Sequence, residues 1–299
     1  PGVGKSNIIG PVSALWKSCP LLHVGAQTLT NASFIDSLIA AEKERNLGGQ
    51  TYKTAPLLLA SSEFGSLTPT YDQSLLTRIA DVYDGRPDFE SSTRADGLLH
   101  VTAPLVHILV GITPKFLGSI IPDTAWQQGF MSRFHVIYSD ERTRLTHEQM
   151  FHPEKIIIEK EKLAAAITRQ LVKLCHYHGQ LTWEAGAAEE LFHWNEAGMP
   201  PAPTHPKLET YCTRRLVHVC KLCIIICAAS NRHVISQNDL HVARLLLLES
   251  ESTLAETFHA MSQTPESEQI EQIYHWLILQ AAVNPGGVSI SAFHNYLGN

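Results

Sequence analysis

The sequence lacks any apolar run near the roughly 20 residues that span a bilayer; Leu57–Ala60 and Ile224–Ala229 are among its longest. No membrane-spanning helix is expected, hence no membrane partner. No basic stretch followed by an apolar one opens the chain, so nothing in the sequence directs export, and a cytoplasmic location is the expectation. Positive charge is also short: 23 Lys and Arg stand against 29 Asp and Glu, a net charge of −6. That excludes a constitutively basic nucleic-acid coat and confines any nucleic-acid contact to local basic residues. Cysteines number six, with Cys19 and Cys175 isolated and Cys212, Cys220, Cys223 and Cys227 close together, which gives no disulfide framework. What remains is 299 residues, 44% of them hydrophobic, enough for one large domain or a core with an appendage.

The first half alternates strand and helix signals. Ser6–Trp16 reads as a helix, Leu21–Gly25 as a short buried strand, and Asn31 as the cap of a helix carrying Phe34, Ile35, Leu38 and Ile39 that runs to the break at Leu47-Gly48-Gly49. Pro56–Ala60 reads as a buried strand, Tyr71–Tyr83 as a helix with Leu75, Leu76, Ile79 and Val82 on one side, and Leu98–Thr102, Leu105–Ile112 and Phe134–Tyr138 as strands. The layout predicts an α/β fold with a mostly parallel sheet. Beyond about residue 150 longer helices follow: Glu159–His178, Ala185–Glu196, Tyr211–Ser230 and Asn238–Met261, with a stiff Pro200–Pro206 stretch between the second and third. After a polar linker at Gln263–Glu268, Ile270–Ala281 and Ser291–Leu297 resemble the start of a winged helix.

Chemistry concentrates at the start. Gly2-Val3-Gly4-Lys5-Ser6 runs straight into a helical segment, supplying unobstructed backbone N–H groups, a Lys to reach outer phosphates and a hydroxyl for Mg²⁺. The first glycine of the full P-loop pattern would fall before Pro1, so the chain is read as entering the loop part-way and as a fragment of a longer protein. The plain alternative is a glycine-rich turn before a helix. A P-loop needs an acidic partner on a neighbouring strand, and the apolar Leu57–Ala60 run leads into Ser61-Ser62-Glu63. Glu63 then polarises the attacking water and joins Ser6 on the metal, while Ser62 stands where a second carboxylate is usual. A surface Glu after a strand is the alternative.

Thr113, at the tip of the next strand, is positioned to orient water near a γ-phosphate, or is simply a strand-end turn. Asp96-Gly97 between extended segments predicts a β-hairpin, with Arg94 a candidate DNA-backbone contact or a solvated side chain. Arg133 is a candidate arginine finger for a neighbouring subunit's nucleotide. Arg214 and Arg215, ahead of His218 and Lys221, are candidates for nucleotide sensing or ordinary exposed helix residues. Cys220, Cys223 and Cys227 share one helical stripe and are expected to pack as small hydrophobes rather than bind zinc.

The order of these segments, namely Gly2–Ser6, Thr28–Ile35, Leu59–Leu67, Gly111–Leu117, Gly129–Phe134 and Arg215–Leu222, resembles the phage and prophage primase-helicase-like P-loop ATPases of the AAA+ or superfamily 3 helicase type. That resemblance covers residues 1 to about 250. It implies a three-layer P-loop NTPase core over residues 1–148, a helical lid over 149–262 and a partial winged-helix segment over 265–299. It further implies an ATP- and Mg²⁺-dependent DNA motor in phage, prophage or plasmid replication, working as a homo-oligomeric ring on single-stranded or forked DNA in the host cytoplasm, with a primase-type domain upstream. Carried over, Gly2, Val3, Gly4, Lys5, Ser6 and Arg215 would contact nucleotide, Ser6 and Glu63 the metal, and Glu63, Thr113 and Arg133 would serve hydrolysis. The competing expectation is an ATP-binding switch with weak hydrolysis, such as a helicase loader or replication initiator.

Overall fold

The computed structural model describes residues 4–68, 72–85, 88–93, 97–121, 125–126, 129–139, 146–261, 273–274, 276–280 and 288–297. From Gly4 the chain enters helix α1 (Lys5–Lys17), then the two-residue strand β1 (His23–Val24), shorter than the Leu21–Gly25 expected. Helix α2 (Asn31–Ala41) buries Phe34, Ile35 and Leu38 but leaves Ile39 exposed. Its cap is Thr30, one residue before the expected Asn31; the Thr30 hydroxyl accepts from Ser33 N–H and the Ser33 hydroxyl accepts from Thr30 N–H.

Helix α2 does not run on to the glycines. It stops at Ala41, and Lys43–Leu47 forms strand β2, paired antiparallel with the start of β3 (Gln50–Ser61). The reason is the turn: Gly48 and Gly49 both take positive φ (59° and 82°), the two-residue geometry whose twist matches a hairpin and which side chains other than glycine rarely adopt. The far half of β3 is the sheet's centre. It runs parallel to β1 (His23 opposite Leu57) and to β6 (Pro104–Val110), with Ala55 opposite Pro104 and Ser61 opposite Val110. Leu57, Leu58 and Leu59 are all buried, as a strand covered on both faces requires. Between β3 and β6 come α3 (Phe64–Leu67), α4 (Gln73–Tyr83), β4 (Asp88–Thr93) and β5 (Gly97–Thr102). Asp72 caps α4 at Leu75 N–H (3.1 Å), and Leu75, Leu76, Ile79 and Val82 are buried. β4 and β5 pair antiparallel, Asp88 opposite Thr102, as the Asp-Gly signal predicts.

After β6 comes α5 (Pro114–Ile120). The expected strand at Phe134–Tyr138 is not one, since among the described residues it pairs with no neighbour; extended backbone is a strand only where another edge takes its hydrogen bonds. Met131–Arg133 just before it is a turn of 3₁₀ helix. The result is a mixed α/β half with a parallel centre.

The second half is helical. The expected Glu159–His178 helix runs from Pro153 to Leu174, and Ala185–Glu196 lies where expected. Tyr211–Ser230 divides into Glu209–Cys212 and Arg215–Ala229, and Asn238–Met261 divides at Thr253 into Gln237–Ser252 and Leu254–Met261. Two two-residue strands, β7 (Thr182–Trp183) and β8 (Val234–Ile235), pair in parallel, unforeseen because two residues show no periodicity. Val219, Cys223 and Cys227 form the buried stripe of Arg215–Ala229, and Leu240, Ala243 and Leu247 that of Gln237–Ser252, the helix it packs against. Cys223 and Cys227 thus pack as small hydrophobes, and burial pushes the Cys223 thiol up to about 12.

The expected linker at 263–268 lies outside the described residues. Of the segment expected to begin a winged helix, Ile290–Leu297 is a helix whose Tyr296 stacks on Trp276 at 4.6 Å. Among the described residues no helix is long and apolar enough to cross a membrane.

Candidate functional site

β3 and β6 run parallel and end side by side, and the backbone ties their ends together. Gly111 N–H donates to Ser61 O (3.0 Å), and Phe64 N–H donates to Gly111 O (2.8 Å). Against this junction lies the start of α1. A β-carbon on Gly111 would stand 2.6 Å from Ser62 O, 3.2 Å from Lys5 Cδ and 3.3 Å from Ile9 Cδ1, so only glycine lets the helix come this close. Lys5 and Glu63 therefore meet at the carboxyl ends of the parallel strands, Nζ to Oε1 3.9 Å. That separation is an ion pair beyond hydrogen-bond reach, with both groups open to solvent.

Glu63 is set by its own neighbour. Ser61 Oγ donates to Glu63 O (2.8 Å) and accepts from Glu63 N–H (3.3 Å), fixing the backbone where the strand turns into α3. Gly4 takes a left-handed conformation, and among the described residues no side chain caps α1, whose start carries partial positive charge. Ser6 is exposed on its first turn. Thr113 occupies the N-cap position of α5, two residues past Gly111, and its hydroxyl makes no capping bond there. Gly2, Val3 and Arg94 lie outside the described residues; Arg94 follows Thr93 at the end of β4. The structure thus brings Gly4, Lys5, Ser6 and Glu63 to one edge of the sheet, with Thr113 on the same strand ends.

The expected arginines lie elsewhere. Arg133 is held within its own chain: Nε and Nη2 donate to Asp84, Nε at 3.1 Å, and Nη1 to Gly129 O at 2.6 Å, leaving the side chain 13% exposed. Arg215 is 1% exposed and packs within the helical half. It donates through Nε and Nη2 to Glu251 (2.8 and 2.9 Å), through Nη1 to Met199 O and through Nη2 to Pro201 O. Tyr211 Oη adds a bond to the same carboxylate (2.9 Å). These contacts place Arg215 in the internal packing of that half. Its neighbour Arg214 faces the α/β half, donating to both oxygens of Asp84 (2.9 and 3.3 Å). Asp84 was the residue missed. The two guanidiniums hold its carboxyl down at about 2 against the cost of burial, the largest opposing influence.

A magnesium-bound nucleoside triphosphate suits the donor set at the strand ends. Among the described residues no side chain caps the start of α1, which carries partial positive charge, Lys5 is not hydrogen-bonded to Glu63, and Ser6 is exposed on the first turn. Glu63 brings a carboxylate to these strand ends, Ser62 stands beside it, and among the described residues no three His, Cys, Asp or Glu side chains cluster as metal ligands. The chain matches no protein-family profile and no curated protein.

Proposed function

We propose that this chain is a P-loop ATPase of the helicase-like type, a DNA motor of phage, prophage or plasmid replication. The observation that supports the reading is the meeting of Lys5 and Glu63 where α1 abuts the carboxyl ends of β3 and β6. Open parallel sheets take their ligands at such ends. In this reading the α1 start, Lys5 and Ser6 bind the phosphates and Mg²⁺, and Glu63 polarises water, with Thr113 orienting it. Mg²⁺, when bound, neutralises phosphate charge. Arg94, between β4 and β5 in the sequence, would touch single-stranded or forked DNA, and Arg133 would serve a neighbouring copy in a ring. A primase-type domain upstream belongs to the same proposal, as do the lid over 149–262 and the winged helix over 265–299.

A second reading, an ATP-binding switch such as a loader or initiator, is favoured by two observations. Ser62 stands beside Glu63 in place of a second carboxylate, and Arg133 has its donors engaged by Asp84 and Gly129 of its own chain.

Hydrolysis assays decide between them. The motor reading expects DNA-stimulated ATP hydrolysis that Lys5→Ala lowers by about 100-fold or more, and that Glu63→Gln lowers comparably while fluorescent ATP still binds. Binding without hydrolysis in the unaltered chain would leave the switch. Absence of nucleotide binding would end both.

A further inference from the structure

Strand alternation sorts the charges of the β2–β3 hairpin onto two faces. Glu44 stands opposite Lys53 on the outer face, and Lys53 Nζ also reaches Glu42 Oε2 at 3.0 Å, so charge on that side is compensated. Lys43 and Arg45 share the other face, with Thr54 opposite Lys43 and Tyr52 opposite Arg45. Lys43, Arg45 and Thr54 are half-buried there. Among the described residues neither of the two cations has a carboxylate within ion-pair distance.

Two other segments close over this inner face. Arg45 Nη2 donates to Leu21 O at 3.5 Å, the outer limit of a hydrogen bond, and Lys43 adds to burial in lowering the pKa of His23. From the end of the Pro153–Leu174 helix comes Cys175, whose thiol burial pushes up and the charge of Arg45 draws down, and then His178, whose Nε2 would stand 3.2 Å from a β-carbon on Gly48. Within this enclosure Arg45 Nε and Thr54 Oγ1 are buried and have no hydrogen-bond partner among the described residues. Buried polar atoms left unpaired destabilise a fold unless an ordered water or an ion completes them. Donors and positive charge converging without a carboxylate are suited to an anion.

We infer that Lys43, Arg45 and Thr54 form an oxyanion site whose ligand is a phosphate group. The Arg45 guanidinium offers a planar fork to two phosphate oxygens, Lys43 a point charge, and Thr54 a hydroxyl that donates to a further oxygen. Three donor groups match the oxygens of a phosphate better than the two of a carboxylate. Thr54 precedes the parallel stretch of β3 and Ser61 ends it, about 23 Å apart at the usual rise of a strand, so this phosphate is not one held by Lys5. This goes beyond the nucleotide reading and needs none of it. The phosphate is either free or part of a single-stranded DNA backbone; for the second, Tyr52 on the same face is 43% exposed and gives a base a ring to stack on.

Calorimetric titration of inorganic phosphate into the full chain carrying Lys5→Ala tests it, since that change removes the cation at the strand ends. Saturable binding is expected at constant ionic strength, with none for chloride. Adding Lys43→Gln or Arg45→Gln is expected to weaken it about tenfold, and the two together to abolish it. Phosphate should raise the thermal midpoint of the Lys5→Ala chain and leave that of the chain lacking both cations unmoved. Thr54→Val guards against misfolding: it removes an unpaired buried hydroxyl, so it is expected to raise the midpoint without phosphate and to weaken phosphate binding several-fold. Absence of both saturable heat and a midpoint shift overturns the site, as does binding that survives loss of both cations. Fluorescent oligothymidylate then distinguishes the sources. Anisotropy that falls with Arg45→Gln and Tyr52→Ala, and that phosphate competes away, assigns the DNA backbone. Phosphate binding with oligothymidylate unaffected by Lys43→Gln and Arg45→Gln assigns free phosphate, and either result upholds the site.

Discussion

Arg214 and Arg215 are adjacent in sequence and opposite in environment, and the difference sets what each substitution costs. Arg215 is 1% exposed and its side-chain partner Glu251 5%, so removing the guanidinium strands a buried carboxylate together with two backbone carbonyls. Loss of one member of a buried pair typically costs about 3–5 kcal/mol. Arg214 shares a carboxylate that is 36% exposed and keeps Arg133, so its removal is expected to cost about 1 kcal/mol or less. Urea unfolding of Arg215→Ala and Arg214→Ala should therefore differ by several kcal/mol, with Arg215→Ala the weaker fold. Near-equal losses would mean that Glu251 finds water or another partner when Arg215 goes. The sequence placed both arginines at the head of one helix, but the choice of inward and outward partner depended on Glu251 and Asp84, which lie 36 and 130 residues away.

At the scale of elements, the junction of β3, β6 and α1 rests on Gly111. An added methyl there would approach Ser62 O to 2.6 Å, closer than any real contact, and both oxygen and glycine belong to backbone already fixed by the Ser61–Gly111–Phe64 bonds. Either the strands part or α1 retreats and takes Lys5 with it. Gly111→Ala is expected to cost about 1–3 kcal/mol in thermal or urea unfolding, the range of overpacked sites. It should also weaken fluorescent-ATP binding more than an equally destabilising change in the helical half. Unaltered stability would show that the junction is loose. The elements themselves were legible where one strong pattern governed them. Helix α4 carries its apolar residues at helical spacing, and Ala185–Glu196 was bounded correctly. Strand β2 was not legible, because Glu42 to Leu47 suits either period and the Gly48-Gly49 turn decided the matter. The Lys5 and Glu63 pairing was readable because each sits at the end of a recognisable element, a helix start and a strand end. Asp84 had no such signature: its two partners come from 49 and 130 residues downstream.

For the whole molecule, a buried histidine between the Arg215–Ala229 helix and the 3₁₀ turn at Met131–Arg133 ties stability to pH. His218 is 2% exposed, its ring meets His135 at 4.4 Å and Tyr211 at 5.4 Å, and its Nδ1 is buried with no hydrogen-bond partner among the described residues. Burial, with the nearby His135 adding repulsion, lowers its pKa from 6.5 to about 4. The folded chain therefore keeps His218 neutral while the unfolded chain takes up a proton below about pH 6.5, so the unfolded state binds more protons across that window. Stability is fully present above pH 6.5 and falls as the pH drops toward 4. From pH 7 to pH 5 the loss from this residue is about 2 kcal/mol, at 1.36 kcal/mol for each unit of displacement. Below that window Asp84 and Asp239, both lowered to about 2 by their arginines, remain ionised in the fold while the unfolded chain protonates them near 3.8, and a second decline follows. Urea unfolding at a series of pH values is expected to show both declines. His218→Gln retains a donor for Ser132 O and does not titrate, so it should remove the share of the pH 7 to pH 5 difference that His218 supplies, leaving the shares of His23, His107 and His135, whose pKa values burial also lowers, and the lower decline in place. If His218→Gln keeps the full pH 7 to pH 5 slope, the acid sensitivity arises from groups other than His218.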